Sequence, residues 1–239
     1  MKFFNIKNLI ITLLLMRPCF ADTIPTSSRA EKSIASVLLQ LKNELKSKKL
    51  EYGSPIYIRI FKASNELEMW VKKNQKYELL KTYPICSYSG QLGPKTKEGD
   101  YQAPEGFYFV KPSSLNPWSS YHLSFNLGYP NAYERSKGYT GSALMIHGKC
   151  VSIGCYAMTD EYMNEIYAMA YGALSHGQPY FRVHAFPFRM DNKSMNDFKE
   201  HKWYSFWLNL KEGYDLFEEH RIPPNVSVRN GKYYFNQGI

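Results

Sequence analysis

The stretch Met145-Ile146-His147-Gly148-Lys149-Cys150-Val151-Ser152-Ile153-Gly154-Cys155-Tyr156-Ala157-Met158 decides how the rest of this 239-residue chain is read. Ala143 to Ile146 is a short apolar run of buried-strand type that leads straight into His147. Gly154 precedes Cys155, and a residue without a Cβ lets backbone or substrate come close there. Thr159 then offers an oxygen to cap a helix running to about Leu174, with Met163, Ile166, Tyr167, Ala170 and Leu174 on its apolar face. A thiol becomes a useful nucleophile when a base takes its proton or a cation steadies the thiolate, and an imidazole within reach does both. His147 and Cys155 supply such a pair, and free backbone N–H groups around Gly154 to Tyr156, beside the helix start, are placed to hold a developing oxyanion. The pair alone does not make a site, because satisfied core histidines and inert buried thiols are spelled the same way.

Context adds more. Together with Ala103-Pro104-Glu105-Gly106-Phe107-Tyr108 upstream, the segment resembles the murein L,D-transpeptidase family. In that family a Thr-Pro-X-Gly-X-Phe element comes first, His-Gly ends a strand, and Ser-X-Gly-Cys followed by a hydrophobic or aromatic residue lies farther on. The elements stand in the same order over residues 54–188. The short gap and the Ser-Ile-Gly-Cys spelling are most similar to the subgroup that includes the periplasmic enzyme releasing Braun's lipoprotein from peptidoglycan. The likeness continues into the C-terminal region.

Carried over position by position, the resemblance implies Cys155 as nucleophile, His147 as base and the Gly148 carbonyl as the group that orients the imidazole. Gly154, Ser152 and Tyr156 stand around the oxyanion or behind the nucleophile. The implied substrate is a peptidoglycan stem peptide, attacked through a thioester at the carbonyl of the L-centre of meso-diaminopimelate. Water as second acceptor gives hydrolysis of the link to a wall-attached lipoprotein or trimming of the stem; an amine gives transpeptidation. The subgroup favours hydrolysis, and no cofactor is implied. The chain departs from the family's pattern where Ile153 replaces a histidine and Ala157 an arginine. Arg135, Arg182, Lys95 and Lys149 are candidates to replace that arginine as carboxylate partners, against the alternative of solvated surface charge. Tyr129, Tyr133 and Tyr139 are candidates to line a groove for peptide and sugar, against a packing role.

The rest of the chain reads as an α+β, β-rich catalytic domain, mostly antiparallel, with helical additions at both ends. Arg29 to Leu50 has helical spacing, with Ile34, Val37, Leu38, Leu41 and Leu45 on one side and lysines on the other. Ile56 to Phe61, Leu67 to Val71 and Tyr77 to Ile85 read as strands, and their short polar turns predict an antiparallel meander. Gly90, Gly93, Pro94, Gly99, Pro104 and Gly106 punctuate a long loop of the kind that often borders a site. The aromatic strand Phe107–Val110 follows, then an irregular stretch, 112–141, with strand character at His122 to Leu127. Phe181 to Phe188 reads as the last core strand, Ser194 to Glu219 as mostly helical, and Val226 to Phe235 as a hairpin turning at Asn230-Gly231. The expected organisation is a signal peptide at 1–21, a helix and linker at 22–53, the catalytic domain at 54–188 and a C-terminal extension at 189–239.

Lys2 and Lys7, the apolar Leu9 to Met16 and the site at Cys19-Phe20-Ala21 read as a cleavable export signal to the periplasm. A lipid anchor on Cys19 is the competitor, disfavoured by Arg17 and Pro18. Cleavage removes three basic residues and no acidic one, taking the formal charge from +9 to +6 and leaving no expected transmembrane segment. A basic chain suits a polyanionic wall; no basic helix or aromatic–basic ladder points to nucleic acid. Cleavage leaves Cys86, Cys150 and Cys155, so one thiol stays unpaired within the chain. A Cys86–Cys150 disulfide frees Cys155, whereas a Cys150–Cys155 bridge disables it; three buried thiols are the remaining alternative. Two rival readings stay open. One is a metal site from His147, Cys150 and Cys155 with His176 or His184, although the spacing matches no zinc motif. The other is a silent wall-binding module using the N-terminal helix and the Trp203–Trp207 region.

Overall fold

The structure, a computed structural model, describes residues 23–238, so the signal-peptide reading of residues 1–21 lies outside the described residues. The first helix, α1 (Ser28–Ser47), starts where the Ser27 side chain accepts the Ala30 N–H. Three strands follow as the meander the turns predict: β1 (Ile56–Phe61), β2 (Glu66–Lys73) and β3 (Lys76–Pro84). The punctuated segment then yields only the two-residue β4 (Ser87–Tyr88) before β5 (Gly106–Val110). The irregular stretch holds β6 (Leu115–Asn116), β7 (Ser124–Asn126) and the short α2 (Ala132–Ser136). β8 (Met145–His147) and β9 (Tyr156–Ala157) flank the signature loop, and α3 (Asp160–Ser175) follows, capped by Thr159. After β10 (Phe181–Phe186), the C-terminal region folds as α4 (Asn192–Asp197), α5 (Tyr204–His220) and the hairpin β11 (Asn225–Arg229) and β12 (Lys232–Asn236).

Two five-stranded sheets organise these elements, in the orders β3-β2-β1-β10-β5 and β4-β9-β8-β7-β6. Pairing is antiparallel except for β1 with β10 and β8 with β9. Strand β1 is central and buried at all six positions, because both faces of its sheet are covered. Ile56, Ile58 and Ile60 point into one core with α1, α3 and the second sheet; Tyr57 and Phe61 point to the other side, where Phe217, Trp207 and Tyr214 of α5 pack. Arg59 is on that second side too. It is almost fully buried, paired with Glu68 at 2.8 Å and Glu218 at 2.5 Å, and lies over the Phe217 and Trp70 rings.

The mostly helical region Ser194 to Glu219 is divided into two helices. Helix α4 stops at Asp197 and α5 starts at Tyr204, because Phe198 stacks on Phe188 and His201 stacks on Trp207. Those aromatic contacts fix the connection in a non-helical path. The terminal turn has positive φ at both Asn230 and Gly231, as a type I′ hairpin requires. Among the described residues, no helix is long and apolar enough to cross a membrane.

Candidate active site

The signature loop runs between two parallel strands, with Ile146 opposite Tyr156 and His147 opposite Ala157. That register brings the end of β8 and the start of β9 side by side. The Met158 N–H donates to the His147 carbonyl at 2.7 Å, and the Gly148 N–H is shared by the Tyr121 and Leu123 carbonyls at 3.1 and 3.2 Å. A Cβ on Gly148 would meet Asp160 Oδ1 at 2.4 Å, so glycine is the residue this approach allows. Asp160 in turn accepts the Lys149 N–H at 2.8 Å. At the other end of the loop, Gly154 has φ +139, a region other residues avoid. Ser152 Oγ donates to the Cys155 carbonyl at 2.7 Å and accepts the Gly154 N–H at 3.2 Å, fixing the turn that presents the thiol.

Cys155 and His147 line one cavity of about 470 Å³, together with Tyr121, Lys95, Tyr101 and Ile153. The imidazole is buried, its Nδ1 is 2.6 Å from the Gly148 carbonyl oxygen, and the Tyr121 ring lies 4.7 Å from it. A carbonyl oxygen can only accept, so Nδ1 carries the hydrogen and Nε2 keeps the lone pair a base needs. Burial pushes the His147 pKa down and the Cys155 pKa up. Both shifts favour the uncharged thiol and imidazole at rest, so proton transfer belongs to the attack itself rather than to a standing ion pair. Cys86 and Cys150 are joined in a disulfide, and Cys155 is the free cysteine among the described residues.

Several residues singled out from sequence sit elsewhere. Tyr133 is buried in the C-terminal aromatic cluster, stacked on Tyr233 at 4.5 Å, and so takes the packing role. Arg135 is exposed on α2, its guanidinium bonded to the Pro130 carbonyl, and Lys149 points to solvent from the signature loop; neither lines the cavity. Arg182 is held by Asn225 at 2.7 Å. Of the four candidate cations, Lys95 alone lines the cavity, buried beside Asp100. Tyr156 contributes no ring to the cavity: it is fully buried and its hydroxyl donates to the Pro104 carbonyl at 2.5 Å.

The oxyanion reading narrows as well. The Gly154 N–H is taken by Ser152, and Tyr156 lies in the β8–β9 ladder, which leaves the N–H of Cys155 itself. The start of α3 carries Asp160 and Glu161, so its positive end is already answered by carboxylates. Residues proposed for a metal set are dispersed: Cys150 is disulfide-bonded, His176 bonds the Gly172 carbonyl, and His184 is buried against Tyr57. Trp207 is fully buried and donates to Glu105 at 2.8 Å, so it offers no surface to a partner. Sequence reasoning missed Tyr121, Tyr101 and Asp160. None belongs to the signature, and each reaches the site through tertiary pairing.

The chain is similar to known proteins over most of its length. The family model for the YkuD domain, an L,D-transpeptidase catalytic domain, matches residues 55–179. The chain is 47% identical over 229 residues to the "Putative L,D-transpeptidase YafK" of Escherichia coli strain K12, covering 95% of this chain and 89% of that protein; the O157:H7 protein matches equally. Among solved structures it resembles the helical cell shape determining protein Pgp2 of Campylobacter jejuni at 17% identity and TM-score 0.45, covering 79% of this chain and 81% of that one. Bd1075 of Bdellovibrio bacteriovorus resembles it at 17% identity and TM-score 0.41, covering 74% of this chain and 78% of that one. The match over more than half the chain and the near-full-length relatives make this protein a member of the L,D-transpeptidase family.

Proposed function

We propose that the protein is an exported, cysteine-dependent peptidoglycan enzyme that hydrolyses the link between a stem peptide and a wall-attached lipoprotein. The observation that carries this reading is the shared cavity of Cys155 and His147, with His147 Nδ1 fixed on the Gly148 carbonyl so that Nε2 is the basic atom. In the first half-reaction Nε2 takes the thiol proton as Sγ attacks the carbonyl at the L-centre of meso-diaminopimelate. A C–S bond forms, the C–N bond breaks, and the imidazolium gives its proton to the departing amine. In the second, His147 deprotonates water, which attacks the thioester and returns Cys155 as the thiol. The Cys155 N–H steadies the oxyanion in both steps. An amine in place of water turns the same thioester into a cross-link, so the acceptor decides between hydrolase and transpeptidase.

The test uses the mature protein and its Cys155→Ala variant on purified sacculi carrying covalent lipoprotein, with every released product identified by mass spectrometry. Lipoprotein released by the wild type alone is the expected result. New cross-links or attached amines replace hydrolysis by transfer; no Cys155-dependent change on any sacculus leaves a silent wall-binding module. In parallel, alkylation of Cys155 slows in His147→Ala if Nε2 is the base, and is unchanged if it is not.

A further inference from the structure

A second cavity lies away from the thiol, where the end of α2, the start of α5 and the β11–β12 turn meet. Its floor is built by packing: Tyr133 stacks on Tyr233 at 4.5 Å and on Phe206 at 5.3 Å. Above that floor opens a cleft of about 490 Å³, matching the catalytic cavity in size. Lys137, Lys202 and Lys232 line it, with Tyr139, Trp203 and Asn230.

The three lysines are exposed, and among the described residues none has a carboxylate within 4.0 Å. Other exposed lysines, Lys32 and Lys46 among them, are unpaired too, so what distinguishes the cleft is that three such lysines surround one hollow. The one carboxylate lining the cleft, Glu212, is contacted by the Asn209 amide at 3.3 Å. Lys137 and Lys202 also stand over the Tyr133 and Trp203 rings, at 5.6 and 5.7 Å. Like charges gathered without counter-ions repel one another, and a ligand bearing carboxylates relieves that repulsion. Aromatic walls beside them suit a ligand with an apolar ring face, as a pyranose has.

A single loop separates this side of the protein from the cavity of Cys155. Lys202 and Trp203 line a smaller hollow of about 330 Å³ as well, whose other wall is formed by Thr96, Asp100 and Gln102. The same loop supplies Lys95, Glu98 and Tyr101 to the cavity of Cys155. A small molecule needs one of these hollows, whereas a polymer repeating sugar and peptide engages them in series.

We propose that the C-terminal cleft is a second binding site, taking one carboxylate-bearing sugar–peptide unit of the wall polymer while a neighbouring unit is held at Cys155. This rests on the peptidoglycan reading above, and it gives the C-terminal region a role in choosing polymer over fragment. Two weak contacts on one polymer bind far more tightly than either alone, because the second engagement is intramolecular.

The test compares Lys137→Glu/Lys232→Glu with a control of equal charge away from the cleft lining, Lys32→Glu/Lys46→Glu on α1. Binding is read by co-sedimentation of the mature chain with purified sacculi, in a Cys155→Ala background. Turnover is read in the active background, on sacculi and on a free sugar-less tetrapeptide. The cleft pair is expected to weaken sacculus binding roughly ten-fold and to raise KM on sacculi by a similar factor with kcat unchanged. Tetrapeptide turnover stays at the wild-type level, and the α1 pair stays within about two-fold throughout. Equal losses in both pairs reduce the effect to diffuse charge and overturn the proposal, as does wild-type sedimentation of the cleft pair. If no form shows Cys155-dependent turnover, the peptidoglycan-hydrolase reading falls, while the sedimentation comparison still decides the cleft.

Discussion

Lys62 Nζ and Glu105 Oε1 lie 3.1 Å apart, and neither side chain reaches solvent. Lys62 follows β1 and Glu105 precedes β5, so the pair joins the central sheet to the far end of the long loop. The same ammonium donates to the carbonyls of Gln91, Gly93 and Ala103 at 2.7, 2.9 and 3.1 Å. Glu105 accepts the Gly93 N–H at 2.6 Å and, through its other oxygen, the Trp207 indole N–H at 2.8 Å. One buried pair thus pins both ends of the loop that walls the cavity of Cys155, and anchors α5 to it. Burial pulls the Lys62 pKa down and Glu105 opposes the fall, so the ammonium depends on its partner.

Removing that partner leaves a buried charge without compensation. Glu105→Ala should cost about 3–5 kcal/mol in denaturant unfolding, the range for a buried pair broken on one side. Trp207→Phe keeps most of the packing and loses one hydrogen bond to a charged group, at about 1.5–3 kcal/mol. It should also raise KM on sacculi more than it lowers kcat, because the loop wall shifts while the thiol and imidazole do not. A Glu105→Ala midpoint equal to the wild type would show that the loop is held by other contacts.

The disulfide makes a separate prediction. Cys86 and Cys150 are 64 residues apart in sequence, and closing a loop of that length removes about 4 kcal/mol of unfolded-state entropy in the chain-entropy model. Reduction should lower the melting temperature accordingly. Activity should respond differently in two variants. Cys86→Ser releases the Cys150 thiol five residues from Cys155, and under oxidising conditions their bridge should abolish activity until a reductant restores it. Cys86→Ser/Cys150→Ser has no second thiol and should stay active in oxidant, though less stable. Oxidant-insensitive Cys86→Ser enzyme would mean the signature loop is too rigid to close that bridge.

Glu134 gives a pH dependence with a definite sign. It is buried against Tyr108, whose hydroxyl donates at 2.6 Å, and burial raises its pKa from 4.5 to about 7. Between those values the folded protein keeps a proton that the unfolded chain has released. Stability therefore falls as pH rises through that window, by an amount on the order of 3 kcal/mol, and is constant above it. Denaturant titrations should show it as a difference: the stability of the wild type relative to Glu134→Gln should be lower at pH 8 than at pH 5. His147 and His184, which burial holds neutral, act in the opposite sense below about pH 6.5 and cancel in that comparison.

What the sequence reveals of this site is what lies within fourteen contiguous residues. Gly148, Ser152, Gly154 and Cys155 are legible because a tight loop between two strands leaves little freedom in how their backbone groups meet. The meander, α3 and the terminal hairpin are legible for a similar reason: each declares itself by local period, cap or turn residues. Tyr133, Arg135 and Lys149 were singled out for chemistry that their neighbours in space do not support. The partner that decides Tyr133 is Tyr233, one hundred residues on, and no pattern near position 133 announces it. Tyr121 reaches His147 by the same kind of distant closure, through β7 pairing with β8.

Gly148 offers the sharpest test of how the site is held. Its N–H is clamped by two carbonyls, and a Cβ there would stand 2.4 Å from Asp160 Oδ1, 3.0 Å from His122 Cβ and 3.2 Å from the Tyr121 carbonyl oxygen. Two of those three neighbours belong to the segment that carries Tyr121 onto the imidazole, so Gly148→Ala must move either that segment or the carbonyl that orients His147. The overpacking should cost about 1–3 kcal/mol in stability. Activity should fall by more than stability explains, roughly ten-fold, since the shift of a few tenths of an ångström that the His122 and Tyr121 contacts demand falls on the groups that position the imidazole. Asp160→Gly in the same chain removes the closest of the three contacts and should recover part of the activity despite losing the bond to the Lys149 N–H. Full activity in Gly148→Ala would mean that the His-Gly corner tolerates displacement, and that orientation of the imidazole is set elsewhere.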